Sequence, residues 1–118
     1  MVDSNQYELE EEIAYNYQYG KNGYPQNFKE ALKHYKRAIK LGSINAYRDI
    51  GNMYLWGEGV RENRDTAMKY YLDGVAKGNY ACYIGLMHKF MFEREWDAAK
   101  QYFHRVIKLC DGSDLAFA

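Results

Sequence analysis

The feature that most constrains this chain is a repeat with a period of 36 residues. Gly23, Ala31, Tyr35, Ala38 and Gly42 return as Gly59, Ala67, Tyr71, Gly74 and Gly78, each 36 positions later. Upstream, Ile13, Tyr17 and Gly20 answer to Ile50, Tyr54 and Gly57 at an offset of 37, the extra residue falling in the loop that follows Gly20. A third copy places Cys82, Leu86 and Phe90 36 residues after Ala46, Ile50 and Tyr54. Its second half, Ala99, Phe103 and Val106, sits 32 after Ala67, Tyr71 and Gly74, so four loop residues are missing. There the Gly-x-Gly turn is replaced by Glu93-Arg94-Glu95-Trp96. Self-similarity at such a period marks a stacked supersecondary unit that cannot bury its apolar face alone, and three copies are about the fewest that can.

Each copy reads as two amphipathic helices. In the second copy Ser43 is placed to cap the first helix, because a hydroxyl accepts from an otherwise unpaired N–H of the first turn. Gly57 and Gly59 stop that helix and permit the positive φ of a chain reversal. Asn63 caps the second helix and Gly78 ends it. The first copy repeats this punctuation, with Asn27 and Glu30 as a capping-box-like start and Gly42 as the stop. The expected helices are 5–19, 27–41, 43–56, 63–77, 79–92 and 96–110. Pro25 is the single proline, and the long glycine-bounded stretches oppose a β-rich fold. Ala31, Ala67 and Ala99 mark places where paired helices approach closely, as does Gly51, whose cost of about 1 kcal/mol in a helix interior close packing must offset. Tyr35, Tyr71 and Phe103, one turn on, fill the space between neighbouring helices. The reading is an all-α superhelix of three helix-turn-helix repeats in a single domain: 5–42, 43–78 and 79–112. In the tail, 113–118, Gly112-Ser113-Asp114-Leu115-Ala116-Phe117-Ala118 resembles Gly42-Ser43-Ile44-Asn45-Ala46-Tyr47-Arg48 and is either the start of a fourth unit or a cap.

Charge and cysteine content narrow the function. With 16 Lys+Arg against 16 Asp+Glu, no global field favours nucleic acid or an acidic membrane. The start of the chain has neither the basic nor the apolar region of a secretory signal, and no apolar run approaches a bilayer span. Cys82 and Cys110 are too few for a disulfide framework. They fall at neighbouring ends of one hairpin, where a bridge is geometrically allowed, but free thiols in a cytoplasmic protein are the plainer expectation.

The central copy carries a family resemblance. Ala46-Tyr-Arg-Asp-Ile-Gly-Asn-Met-Tyr-Leu-Trp-Gly-Glu-Gly-Val60, followed by Ala67-Met-Lys-Tyr-Tyr71, resembles the Sel-1-like repeat pattern Ala-x3-Leu-Gly-x2-Tyr-x2-Gly-x-Gly-Val, then Lys-Ala-x3-Trp/Tyr-Tyr. The first copy matches more loosely, with Ala14 at the mid-helix glycine position and Tyr24 in place of Val. The third has lost the Gly-x-Gly-Val turn and is more similar to a tetratricopeptide repeat. The resemblance spans roughly Tyr7 to Gly112. It implies an antiparallel helix-pair solenoid acting as a scaffold, adaptor or recognition module, and it names no partner.

By that resemblance the first helix of each pair lines a concave, Tyr-rich face that receives a protein or peptide. Its expected residues are Glu8, Glu11, Tyr15, Gln18 and Tyr19 in copy one. Copy two contributes Asn45, Arg48, Asn52, Leu55 and Trp56, and copy three Ala81, Ile84, His88, Met91 and Phe92. Tyr, Trp and Arg are the side chains that most often anchor interfaces. Arg48 and Asn52, one turn apart, suit a carboxylate or backbone carbonyl, although Tyr19, Trp56 and Phe92 have packing against the next repeat as an alternative role. Lys29, Lys33, Lys36, Arg37 and Lys40 form a basic stripe, read as a solvated convex face balanced by the acidic Glu8–Glu12 segment in preference to a phosphate-contacting surface. His34, His88 and His104 lie on three helices without metal-ligand spacing. The Gly-Glu-Gly turn lacks the Lys-Ser/Thr of a phosphate loop, and no Ser/His/Asp or Cys/His arrangement emerges. The expectation is a non-catalytic protein-binding module without cofactor or metal, with a monomer the simpler oligomeric state. Two narrower readings stay open: a small immunity or inhibitor protein occluding a toxin or effector, and a regulatory or docking fragment of a larger enzyme.

Overall fold

The computed structural model describes residues 4–111. Six helices and no strands run through them: α1 (Ser4–Tyr19), α2 (Phe28–Lys40), α3 (Ala46–Trp56), α4 (Arg64–Ala76), α5 (Cys82–Phe92) and α6 (Trp96–Asp111). They pair as three hairpins, α1 with α2, α3 with α4 and α5 with α6, and the hairpins stack through α2 on α3 and α4 on α5. The architecture is the all-α repeat solenoid that the period implies. The segment Gly112–Ala118, with its likeness to the start of a further unit, lies outside the described residues.

The caps explain the boundaries. Asn27 Oδ1 accepts from the Glu30 amide at 3.1 Å, and Asn63 Oδ1 accepts from the Thr66 amide at 3.0 Å. The reciprocal half of a capping box is missing at Asn27, whose own amide donates to the Tyr17 carbonyl. Ser43 Oγ accepts from the Ala46 amide at 3.1 Å, so α3 begins at Ala46 and not at 43: the serine caps the helix from three residues outside it. The α5 start also moves inward, from 79 to Cys82, and the Asn79 side-chain amide donates to the Ile44 carbonyl at 2.9 Å. Helices α2 and α4 end alike, the Ser43 and Asn79 amides returning to the Ala38 and Gly74 carbonyls, which satisfies carbonyls that a helix end otherwise orphans.

Between hairpins the core is aromatic wedges against small residues. Ala31 and Ala67 are fully buried and Ala99 nearly so. The fully buried Tyr71 ring presses on two glycines of different repeats. A Cβ on Gly51 would lie 2.5 Å from its Cε1, and one on Gly85 would lie 2.2 Å from the same atom. Its hydroxyl donates to Asn52 Oδ1 at 2.5 Å. Tyr35, one repeat earlier, is equally enclosed and donates to Gln18 Oε1 at 2.8 Å. Phe103 departs from the pattern, with 47% of its surface exposed. Tyr35 and Tyr71 are covered by the first helix of the following repeat, whereas Phe103 has no such helix among the described residues. It instead lines an apolar hollow of about 360 Å³ with Met87, Met91 and Trp96.

Turn chemistry changes in the third repeat. Gly57 and Gly59 hold φ of 70° and 75°, as their positions after α3 require. In the shortened turn after α5 the left-handed position goes to Arg94, at φ 59°, where a Cβ costs about 1 kcal/mol.

Two stability measurements follow by urea unfolding. Tyr71→Ala is expected to cost about 3–5 kcal/mol by emptying a closed site, while Phe103→Ala costs under about 1 kcal/mol because its site is open; equal losses would contradict the wedge assignment. Arg94→Gly is expected to raise stability by roughly 0.5–1 kcal/mol, since relief of the left-handed strain outweighs the added freedom of the unfolded chain. A loss on this substitution would show that the Arg94 side chain contributes more than its backbone costs.

Candidate functional site

The first helices α1, α3 and α5 together form one face of the stack, and two clefts run between them. The larger, about 520 Å³, lies between α1 and α3 and is lined by Glu8, Glu11, Glu12, Tyr15, Tyr19, Asn45, Arg48 and Asp49, with Tyr35 of α2 at its base. The second, about 230 Å³, lies between α3 and α5 and is lined by Arg48, Asn52, Trp56, Ala81, Ile84, Gly85 and His88. Arg48 borders both. At the far end the Trp56 and Phe92 rings meet edge to face, centroids 4.9 Å apart. Both nonetheless stay exposed, at 55% and 40%, so the pair packs ring on ring and still presents surface. They border a third hollow of about 270 Å³.

Most of the expected groove residues are thus brought together: Glu11, Tyr15, Tyr19, Asn45 and Arg48 in the first cleft, Asn52, Trp56 and His88 in the second, and Phe92 beside Trp56. Three are not available as expected. Gln18 is buried, its amide consumed by the Tyr35 hydroxyl and by Glu58 Oε1 at 3.4 Å. The exposed Tyr19 is the next residue and the exposed Tyr15 lies three before it, so a small rotation about the helix separates them from this inward position. Leu55 is buried among Ala67, Tyr71, Cys82 and Leu86. Met91 turns to the apolar hollow beside Trp96. The pairing of Arg48 with Asn52 is also less free than their spacing suggests: Asn52 Oδ1 holds the Tyr71 hydroxyl, and Arg48 Nη2 sits 3.6 Å from Asp49 Oδ1.

The acids of α1 divide between two faces. Glu10 turns to α2, where its carboxylate meets His34 Nδ1 at 2.5 Å, while Glu8, Glu11 and Glu12 stay at the cleft. The Glu8–Glu12 segment therefore does not balance the α2 stripe as a unit, although Lys29, Lys33, Lys36, Arg37 and Lys40 are all exposed. Glu11 accepts a hydrogen bond from Ser43 Oγ, so one hydroxyl both caps α3 and fixes the position of a cleft carboxylate. Cys82 is a buried free thiol pushed up to about 11 by burial, which leaves it little thiolate for chemistry. Cys110 is also free, and exposed. Among the described residues no group of three or more His, Cys, Asp or Glu is placed to hold a metal, and no helix is long and apolar enough to cross a membrane.

Comparisons with known proteins agree with this architecture. A family model described as Sel1 repeat matches residues 11–43 and 44–79. Among solved structures, the chain is similar to a Sel1 repeat protein from Oxalobacter formigenes, with a TM-score of 0.71 and 27% identity over 85% of this chain. The chain spans 42% of that structure's length. A search of curated protein sequences returns no match.

The residue that sequence reading missed is Asp49. In register it stands where the third repeat has Gly85, 36 positions later, and so faces Tyr35 as Gly85 faces Tyr71. A carboxylate at the register where the third repeat has Gly85 was the available signal. Burial raises its pKa from 3.8 to about 6; Arg48 opposes the shift and Glu11 adds to it. Burial likewise raises the Tyr35 and Tyr19 hydroxyls, so both stay neutral donors. Because the folded-state pKa of Asp49 lies above its unfolded value, the folded chain binds more protons between about pH 4 and pH 6, and stability falls as pH rises through that window. Asp49→Asn is therefore expected to be more stable than wild type at pH 7 by about 1–2 kcal/mol, a difference that disappears by about pH 4. Parallel urea titrations at the two pH values check this, and a variant less stable at pH 7 would mean that the Arg48 pair outweighs burial.

Proposed function

The chain belongs to the Sel1 repeat family, whose repeats generally mediate protein–protein interaction, and from that premise we propose that it is a non-catalytic recognition module whose partner lies along the clefts of α1, α3 and α5. One observation carries the reading. The exposed aromatics Tyr15, Tyr19, Trp56 and Phe92 are gathered on one face, where cleft walls hold them. Large aromatic side chains supported by packing on one side and open on the other are what interface anchors require. The polar groups interleaved with them, Asn45, Arg48 and His88, supply orientation. The opposite stripe on α2 carries lysines and an arginine without a cleft. As such a module the chain acts without cofactor, in the cytoplasm, and as a monomer. The alternatives to this reading are a small immunity or inhibitor protein that occludes a toxin or effector, and a regulatory or docking fragment of a larger enzyme.

The test is capture from native lysate by the immobilised chain, with Tyr15→Ala/Trp56→Ala and Lys33→Ala/Lys36→Ala beside it. Circular dichroism verifies that each variant retains its helices. A protein held in stoichiometric amount by wild type and the α2 variant, and released by the Tyr15/Trp56 variant, is the expected result. Equal capture by the Tyr15/Trp56 variant, or loss only in the α2 variant, would move the interface off this face.

A further inference from the structure

We propose that the cleft between α1 and α3 receives a positively charged side chain, a lysine or arginine carried by a basic segment of the partner. The proposal rests on the groove reading above and gives one end of it a chemistry.

Charge balance is the first ground. Glu8, Glu11, Glu12 and Asp49 line the cleft against Arg48, with Lys21 at its Tyr15 edge: four acids face two cations. Low-dielectric walls concentrate the field of such a set and attract a mobile cation. An anion entering here would meet four carboxylates, and an apolar group would strip water from them without replacing its hydrogen bonds. A cation is the complement that lowers the energy of every acid in the cleft.

The walls add a second ground. Tyr15 and Tyr19 are 4.8 Å apart, centroid to centroid, with rings tilted at 54°, and both form part of the cleft wall. Cations are drawn to ring faces within about 6 Å of the centroid. The chain's own Lys21 shows the attraction at work, its ammonium 5.2 Å from the Tyr15 centroid and donating to the Tyr15 hydroxyl at 3.2 Å. Acids beside tyrosine faces form a cradle for an ammonium or guanidinium ion, which the volume of about 520 Å³ accommodates with part of its backbone.

Asp49 supplies the third ground. The fold tolerates glycine at the same register one repeat on, so packing does not call for a carboxylate here. Its partner Arg48 lies at 3.6 Å, a pairing that offsets only part of the cost of burial, and Glu11 repels it. A partly buried acid that packing does not call for, set in a cleft, is the kind of group that binding explains. A ligand cation between Glu11 and Asp49 removes both the repulsion and part of the desolvation penalty.

The experiment titrates the isotopically labelled chain with acetyl-tetralysine amide and, separately, acetyl-tetraglutamate amide, following backbone amide shifts. Glu11→Gln/Asp49→Asn is the test variant: glutamine still accepts from Ser43, and the asparagine is expected to stabilise the chain. Saturable shifts confined to α1 and to residues 45–49, absent with tetraglutamate and weakened about tenfold in the variant, are the expected result. Shifts that do not saturate, that persist in the variant, or that tetraglutamate reproduces would overturn the proposal. Capture from lysate separates its failure from that of the groove. A partner lost by Tyr15→Ala/Trp56→Ala but held by Glu11→Gln/Asp49→Asn leaves the groove standing and removes the cation. A partner held equally by both removes the groove itself. Sedimentation of the chain alone covers the remaining occupant: self-association abolished by Glu11→Gln/Asp49→Asn would assign the cleft to the α2 lysines of a second copy and overturn the partner assignment.

Discussion

The structure depends on an aromatic ring set against the backbone of two helices at once. Tyr71 of α4 touches Gly51 of its own hairpin and Gly85 of the next, with no room for a Cβ at either. A contact of this kind joins repeats because neither hairpin can bury the ring alone. It also fixes the spacing of α3 and α5, since interiors are packed densely enough that a one-carbon change is felt. The glycines each sacrifice helix propensity of about 1 kcal/mol, and the buried ring returns that and more. Neighbouring contacts follow the same logic: Gly74 is held by Cys82 and Tyr47 at distances that exclude a side chain.

The first interface repeats the arrangement with a polar substitution, and the candidate site arises from that difference. Tyr35 is buried as Tyr71 is, but the facing position is Asp49 in place of glycine. The carboxylate cannot interleave with the ring as a bare backbone does, and a cleft opens that Glu11 and Arg48 share. Ser43 couples this opening to the fold. Its hydroxyl accepts from the α3 amide and donates to Glu11, so the cap that starts one helix also positions an acid of another. Satisfied polar groups of this sort hold geometry as firmly as apolar packing. The cleft is thus a variation within the repeat and not an insertion added to it, which is how binding surfaces arise on stacked helices.

The second cleft has a different character. Gly85 lets α3 and α5 come close, the hollow between them is small, and its exposed aromatics stand at the helix ends. A ligand lying across both clefts would meet acids and tyrosines at one end and Trp56 with Phe92 at the other. Arg48 stands at the junction, and its guanidinium is engaged with Asp49 on the acidic side. That polarity gives the face a direction, and direction is what distinguishes one bound segment from its reverse.

The sequence by itself determined the repeat and the parts that depend only on neighbours along the chain. The period located six helices; Asn27 and Asn63 located the starts of α2 and α4, and Ser43 a cap of α3 that begins three residues later; Gly57 and Gly59 located a reversal. These are local signals, because a cap or a left-handed turn is decided within four residues. The burial of Ala31, Ala67 and Ala99 was legible for the same reason, as a small residue recurring at a fixed phase has few explanations. What only the tertiary structure decided is how each helix is rotated against the next. Gln18 and Leu55 share the helical faces of exposed neighbours, yet a rotation of a fraction of a turn carries them inside, to Tyr35 and to the Tyr71 cluster. Phe103 matches Tyr71 in phase but has no covering helix among the described residues. Asp49 reads as an ordinary charged residue on an amphipathic helix until Tyr35 and Glu11 arrive from α2 and α1. A one-dimensional pattern fixes which residues share a face; the distance and angle between two faces come only from packing them.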